Sequence, residues 1–171
     1  MAKRIFTAQN QTFTAQATAA TLTNATYMAI QGNATTQVVD ILEILVSGMA
    51  TASTVAAMQF LPMSTLGATP TALATPNSDG PAMVNTTALA SVVTTYVAAT
   101  TGPQASSSAT VTKLNLGLNL FGGIIRWNAA PTQQITLVGN AVTTGGFCLF
   151  NSSTGGGSSG LANAHIIYEP Y

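Results

Sequence analysis

The sequence predicts an all-β protein: a single antiparallel β-sandwich or jelly-roll domain over residues 22–171, preceded by an extended N-terminal arm over residues 1–21. Three observations lead to this prediction. Apolar segments recur at intervals of roughly ten residues in the C-terminal half, a spacing typical of sandwiches and barrels. Some of these segments alternate between apolar and polar residues, and turn-forming Gly, Pro and Asn residues separate them. A length of 171 residues fits one domain with an arm.

The clearest strand covers residues 111–121, where apolar and polar residues alternate strictly. One face carries Leu114, Leu116, Leu118 and Leu120. The other face carries Lys113, Asn115, Gly117 and Asn119. Because side chains alternate across a strand, the sequence predicts a half-buried strand whose leucines all face the core. Gly122 and Gly123 are expected to bend the chain directly afterwards.

The most apolar segment is residues 37–47, which ends at Gly48 and is rich in β-branched residues. A strand is therefore favoured over a helix. Strict alternation along a strand would place Val39, Ile41 and Leu45 on the same side as Glu43. A helix would instead bring Asp40 and Glu43 together on one face.

The remaining segments predict further short strands and the connections between them. Residues 89–99 fit either a strand or a short helix. Pro62 lies within one of the strands and suggests that this strand is at a sheet edge. The other strands are expected at residues 27–31, 56–64, 124–127, 134–138, 147–150 and 161–168. Residues 65–90, 102–109 and 155–160 are expected to be connections, from their Pro, Ser and Gly content.

The composition predicts a chain that functions packed against other protein. Only eight side chains are charged, the net charge is zero, and Thr and Ala contribute 28 residues each. An ordinary soluble domain is about a quarter charged. A surface with so few charges provides little repulsion between copies. Neutrality argues against nucleic acid as a partner, and no segment reaches the ~20 apolar residues that span a membrane.

Catalytic, metal and cofactor sites are not predicted, and neither is a small-molecule substrate. His165 is the one histidine, it lies in a regular strand pattern, and no G-x-S-x-G motif accompanies it. Asp40 and Glu43 are the only close carboxylates, and Cys148 is the only cysteine. A metal site needs a cluster of such ligands. We therefore expect His165 to be structural or interfacial, and the two acids to pair at a strand edge or interface.

Contacts with a partner are predicted at two places. The arm has few large apolar residues with which to form a core of its own, yet it carries spaced aromatic and basic residues. They are Lys3, Arg4, Phe6 and Phe13. We expect the arm to lie extended along an adjacent subunit or a shell, and the alternative is a frayed terminus. Arg126 and Trp127 lie beside the Gly-Gly bend and could anchor an interface. The alternative is that Trp127 covers the core while Arg126 pairs with one of the acids.

The chain resembles the small jelly-roll decoration, or cement, proteins of tailed-bacteriophage capsids. The resemblance rests on the polar arm, the segment Val38-Val-Asp-Ile-Leu-Glu-Ile-Leu-Val46 and the run Leu114-Asn-Leu-Gly-Leu-Asn-Leu. It also includes Arg126-Trp-Asn-Ala-Ala-Pro131 and the closing strand Ala164-His-Ile-Ile-Tyr-Glu169. It covers most of the chain and implies a homotrimer on the outer surface of a virion, bound where major capsid subunits meet.

The function expected from composition and resemblance together is non-enzymatic stabilisation of a capsid, with the chain itself and a major capsid protein as partners. The alternative is a head-fibre or tail component that binds a host receptor or glycan. Both classes are rich in β-strands and trimeric, so the sequence leaves both open.

Overall fold

In the computed structural model, all regular secondary structure in the described residues is β-strand. The described residues are 5–9, 14–15, 26–32, 38–53, 55–65, 71–72, 93–97, 104–105, 112–138, 146–151 and 161–170. No helix in these ranges is long and apolar enough to cross a membrane. The strands are β1 Phe6–Gln9, β2 Thr14–Ala15, β3 Thr26–Gly32, β4 Val38–Gly48, β5 Val55–Thr65, β6 Thr71–Ala72, β7 Val93–Val97, β8 Gln104–Ala105, β9 Leu114–Asn119, β10 Ile124–Asn128, β11 Ile135–Val138, β12 Gly146–Asn151 and β13 Leu161–Pro170.

Two antiparallel sheets form the architecture. Sheet A has the order β1-β13-β4-β10, with β2 also pairing with β13 and β11 also pairing with β4. Sheet B has the order β6-β7-β3-β12-β5-β8, with β9 also pairing with β5. The inner faces of the two sheets share one hydrophobic core. The predicted all-β, antiparallel sandwich is confirmed.

The core is built from alternating residues of both sheets, as sheet-on-sheet packing requires. Sheet B contributes Met28, Phe60 and Leu149, and Phe60 stacks on Phe147 with ring centroids 4.8 Å apart. Sheet A contributes the inward-facing apolar residues of β4 and β13, among them Ile44. Fully buried aliphatic and aromatic side chains of this kind each stabilise the fold by about 1.5–3 kcal/mol.

Strand β9 matches the prediction from its alternation. Leu116, Leu118 and Leu120 are buried, and Leu114 is half-buried against the same core. Their polar and glycine neighbours face solvent: Lys113, Asn115, Gly117 and Asn119.

Strand β4 confirms the strand prediction but corrects its face assignment. The pairing with β13 shifts by one residue between Ile167, opposite Glu43, and Tyr168, opposite Ile41, so that Leu42 is an extra residue in β4. This β-bulge reverses the alternation. Its core-facing residues are Val39, Ile41, Ile44 and Val46. The expectation that Leu45 shares a side with Val39 and Ile41 was wrong, because Glu43 and Leu45 lie beyond the bulge and point outward.

The expectation of an edge position for Pro62 was also wrong, since β5 lies between β12 and the β8/β9 pair. The Phe60 carbonyl accepts a hydrogen bond from the Lys113 N–H at 2.9 Å, so Phe60 directs its backbone groups toward β9. Residues two apart in a strand direct these groups alike. The missing N–H of Pro62 would therefore have pointed to the same side as the backbone groups of Phe60. On that side the pairing with β9 ends at Phe60, and the pairing with β8 includes Met63 opposite Ala105.

Other predicted segments are refined. Residues 93–97 of the ambiguous segment form strand β7. Two short strands lie inside expected connections, β6 in residues 65–90 and β8 in residues 102–109. The arm also contributes structure, because β1 and β2 pair with β13. The predicted Gly/Ser loop at residues 155–160 lies outside the described residues.

The β9–β10 turn crosses the end of β4 at very close range. The Gly48 N–H donates to the Gly123 carbonyl at 2.9 Å, and Gly122 has a φ of 70°, which favours glycine. A Cβ on Gly48 would collide with the backbone of Leu120. The absence of a side chain at Gly48 therefore permits the two sheets to meet at this end.

We predict that Gly48→Ala destabilises the protein by about 1–3 kcal/mol, the usual range for overpacking. The matched control is Gly117→Ala in β9, where an added Cβ meets no atom within 4 Å. That control should leave stability unchanged or raise it slightly, because Ala has less freedom to lose on folding. Urea unfolding measures both. Equal effects of the two substitutions would contradict the close approach at Gly48.

Candidate functional site

The outward side of sheet A gathers most of the ionisable side chains of this charge-poor chain. The sequence has nine Asp, Glu, Lys, Arg and His residues. Five of them lie on this side, which we call the polar face: Asp40, Glu43, Arg126, His165 and Glu169. Cross-strand pairing determines the arrangement. Leu45 lies opposite both Arg126 and His165, so the central strand carries an apolar side chain between them.

An ion pair joins β10 to β4 on the polar face. Arg126 donates to both carboxylate oxygens of Glu43, from Nε at 2.8 Å and from an Nη at 2.7 Å. The pair is asymmetric in burial, because the Arg126 side chain is 57% exposed and that of Glu43 only 11%. The hydrogen bond and the charge of Glu43 raise the pKa of Arg126. Both oxygens of Glu43 are thus engaged by one guanidinium, the bidentate geometry that this group favours.

His165 occupies the same face in an unusual state. Its Nε2 atom is buried and has no hydrogen-bond partner among the residues that the structure describes. Burial lowers the pKa of His165; the Glu43 charge opposes this shift, and the Arg126 charge adds to it. The imidazole is therefore favoured in its neutral form. A second acidic contact lies further along β4, where Thr136 Oγ1 donates to Asp40 at 2.6 Å.

One end of the sandwich exposes large apolar side chains, and sequence reasoning did not single them out. Met49, Val55, Phe121 and Ile124 are 54%, 75%, 60% and 70% exposed. We call this group the apolar tip. Its members lie in or beside the β4–β5 and β9–β10 turns. By strand alternation Val55 lies on the outer side of sheet B and Ile124 on the outer side of sheet A, so the group extends around this end of the sandwich. The available signal was the presence of large apolar residues next to turn glycines.

Hydrogen bonds join the two turns of the apolar tip. The Ala50 N–H donates to the Leu120 carbonyl at 2.8 Å, and Asn119 Nδ2 donates to Ser53 Oγ at 2.8 Å. Asn119 also accepts from the Phe121 N–H at 3.0 Å, which closes the β9–β10 turn. These contacts hold Phe121 in an ordered turn while its ring remains exposed.

The predicted partner-contact residues fall in different environments. Phe6 is 1% exposed and stacks on Tyr168 of the same chain, with ring centroids 5.6 Å apart. It therefore fills a pocket of its own core, through β1 pairing with β13. Lys3, Arg4 and Phe13 lie outside the described residues.

The structure shows Arg126 and Trp127 in the alternative arrangement considered from the sequence. Trp127 lies opposite Ile44 and packs half-buried against the core, while Arg126 pairs with an acid. A partner contact at the exposed side of Arg126 stays a prediction.

The chemistry available to these groups is limited in the arrangement seen. Glu43 is held by Arg126, and the buried Nε2 of His165 contacts no described donor or acceptor. No three potential metal ligands come together within the described ranges. An open depression beside β9, lined by Gln59, Thr112, Lys113, Leu114 and Asn115, contains only one ionisable group.

In comparisons with known proteins, no family model and no curated protein matches this chain. The function is therefore argued from the residues of the chain itself.

We predict that Phe6→Ala lowers the stability of the isolated chain by about 3–5 kcal/mol, the cost of removing a buried Phe ring. Ile5→Ala is the control, since Ile5 is 48% exposed and its replacement should cost much less than that of the buried Phe6. Urea unfolding of both variants compares the two costs. If Phe6→Ala unfolds at the same urea concentration as the original chain, Phe6 does not belong to its own core.

We predict that the two halves of the ion pair are unequal when removed at neutral pH. Arg126→Gln should destabilise the protein more than Glu43→Gln, because it leaves the buried carboxylate unpaired. Glu43→Gln leaves a guanidinium that is already mostly in water. The double substitution should recover part of the loss caused by Arg126→Gln. Urea unfolding of the three variants tests this order, and a larger loss for Glu43→Gln would contradict it.

Proposed function

We propose that this chain is a non-enzymatic structural protein of a virion, which decorates and stabilises a bacteriophage capsid. In this proposal it binds as an oligomer, a trimer, on the outer surface at junctions between major capsid subunits. The observation that carries the proposal is the apolar tip. It consists of four large apolar side chains, each more than half exposed, in or beside two hydrogen-bonded turns at one end of the sandwich.

The apolar tip supports an assembly role for a physical reason. Single exposed apolar residues are ordinary, but a group of them on an ordered part of a surface marks a site of protein contact. Burying Phe121 and Met49 against a partner would contribute up to about 1.5–3 kcal/mol each. The turns are already ordered by hydrogen bonds, so binding requires little further loss of backbone freedom.

The charge distribution supports the same proposal. Most of the charge on the described surface lies on the polar face, where Glu43 is neutralised by Arg126. The segments 48–53 and 119–124 contain no charged residue, and Arg126, two residues after Ile124 on the same side of β10, is paired with Glu43. A contact there would bury no unpaired charge, the usual large cost of association. The trimer and the capsid junction come from the resemblance to decoration proteins described above.

The first test is the oligomeric state and its dependence on the apolar tip. We predict that native mass spectrometry at micromolar concentration detects a trimer. Replacing Met49 and Phe121 with Ser should weaken contacts with protein by about tenfold or more, since tenfold corresponds to only ~1.4 kcal/mol. Val138→Ser is the control, because Val138 is 65% exposed on β11, away from the tip turns.

The second test is attachment to a shell. The original chain, the tip variant and the Val138 control are each sedimented with emptied, expanded capsids of the phage that encodes the chain. Co-sedimentation of the original chain and the control, but not of the tip variant, is the expected result. A soluble monomer that does not bind capsids but binds host cells would refute the decoration role and favour the receptor-binding alternative.

A further inference from the structure

We propose that His165 makes the polar face a pH-sensitive switch: protonation of its imidazole draws the Glu43 carboxylate away from Arg126 and leaves the guanidinium as an unpaired cation facing solvent. This inference concerns regulation of the face and does not rest on the proposed function.

The geometry of sheet A places two bases beside one acid. Arg126 and His165 lie on opposite sides of β4, each directly opposite Leu45. Glu43 lies two residues before Leu45 on the same face, diagonal to both. Diagonal neighbours on a sheet are within reach of long side chains. Glu43 can therefore bind either Arg126 or His165.

In the structure Glu43 binds Arg126. Its guanidinium occupies both Glu43 oxygens, at 2.8 and 2.7 Å. The His165 Nε2 atom is buried without a described partner. A neutral ring leaves one uncharged polar atom unsatisfied there, an acceptor or an N–H according to the tautomer. A protonated ring would instead bury a charged N–H donor, which is much more costly without an acceptor.

Among the groups that face His165, Glu43 is left as the hydrogen-bond acceptor for the protonated ring. From β1 the neighbours are Thr7 and Gln9, neither of which ionises. From β4 the ionisable groups on this face are Glu43 and, further along the strand, Asp40, and from β10 the group is Arg126. Its own strand carries Glu169, which lies opposite Asp40 in the strand register at the far end of the face.

Of the described acids on the face, Glu43 is the one whose charge acts on the His165 pKa. Protonation therefore favours transfer of the Glu43 carboxylate from Arg126 to His165. Arg126 can leave without burial cost because its side chain is mostly exposed.

The direction of the pH effect follows from burial. Since the folded protein holds the pKa of His165 below its ordinary value of 6.5, the unfolded chain takes up the proton first as pH falls. Stability linked to His165 is thus fully present above about pH 6.5 and is lost progressively as pH decreases toward the folded-state pKa. His165 is the only histidine in the sequence. A single imidazole therefore accounts for any histidine titration observed.

The experiment is an NMR titration of the full chain from about pH 8 to about pH 5, the range in which histidine ionises. It follows the His165 ring and the Nε–H signal of Arg126. We expect the ring to titrate with a midpoint below 6.5, and the Arg126 signal to move with the same midpoint. In His165→Gln the Arg126 signal should stay still over this range. In Glu43→Gln the His165 midpoint should fall further, because the favourable carboxylate is lost.

Two results would overturn the switch. One is an Arg126 signal that stays fixed while His165 titrates. The other is an Arg126 signal that moves equally in His165→Gln. Should His165→Gln fold poorly, His165→Asn serves as the second uncharged variant. The melting temperature supplies an independent readout. Between about pH 7.5 and about pH 5.5 it should fall further in the original chain than in either His165 variant, and equal falls would also contradict the switch.

Discussion

Strand β4 imposes the constraint on which both faces of sheet A depend. It pairs with β13 along one side and with β10 and β11 along the other. The bulge at Leu42 reverses the alternation within this central strand. Without it, the residues from Glu43 onward would exchange faces, and the glutamate would point into the hydrophobic core. With it, Ile44 and Val46 fill the core while Glu43 faces outward and reaches Arg126.

The end of β4 has an equally specific role, because Gly48 lets the β9–β10 turn cross at close range. One strand therefore organises two different surfaces. Its middle supports the polar face, where the Arg126–Glu43 ion pair and His165 share the outer side of the sheet. Its end supports the apolar tip, where hydrogen-bonded turns present large apolar side chains. Most of the described charge lies along the polar face and the exposed apolar side chains lie at the turns, with Ile124 sharing the outer side of β10 with Arg126.

Much of the fold was predictable because strand periodicity is local. The alternation from Leu114 to Leu120 defined β9 and its buried side. The bulge could not be read from β4, because it arises from pairing with a strand more than a hundred residues away. The edge position predicted from Pro62 was wrong for a similar reason. The missing N–H of Pro62 lies between the ends of two short partner strands, which only the sheet order reveals. The polar face was not predictable as a group, since Glu43, Arg126 and His165 come together only through sheet order. The buried role of Phe6 likewise depends on pairing between the two termini of the chain.

The claim that the chain acts through contact at the apolar tip is tested most directly by hydrogen exchange, measured by mass spectrometry, in the dilute and assembled states. Backbone amides in residues 48–53 and 119–124 should exchange more slowly after assembly, whereas the β11 segment 135–138 should be unchanged. Protection confined to other parts of the surface, with the tip exchanging equally in both states, would contradict the account.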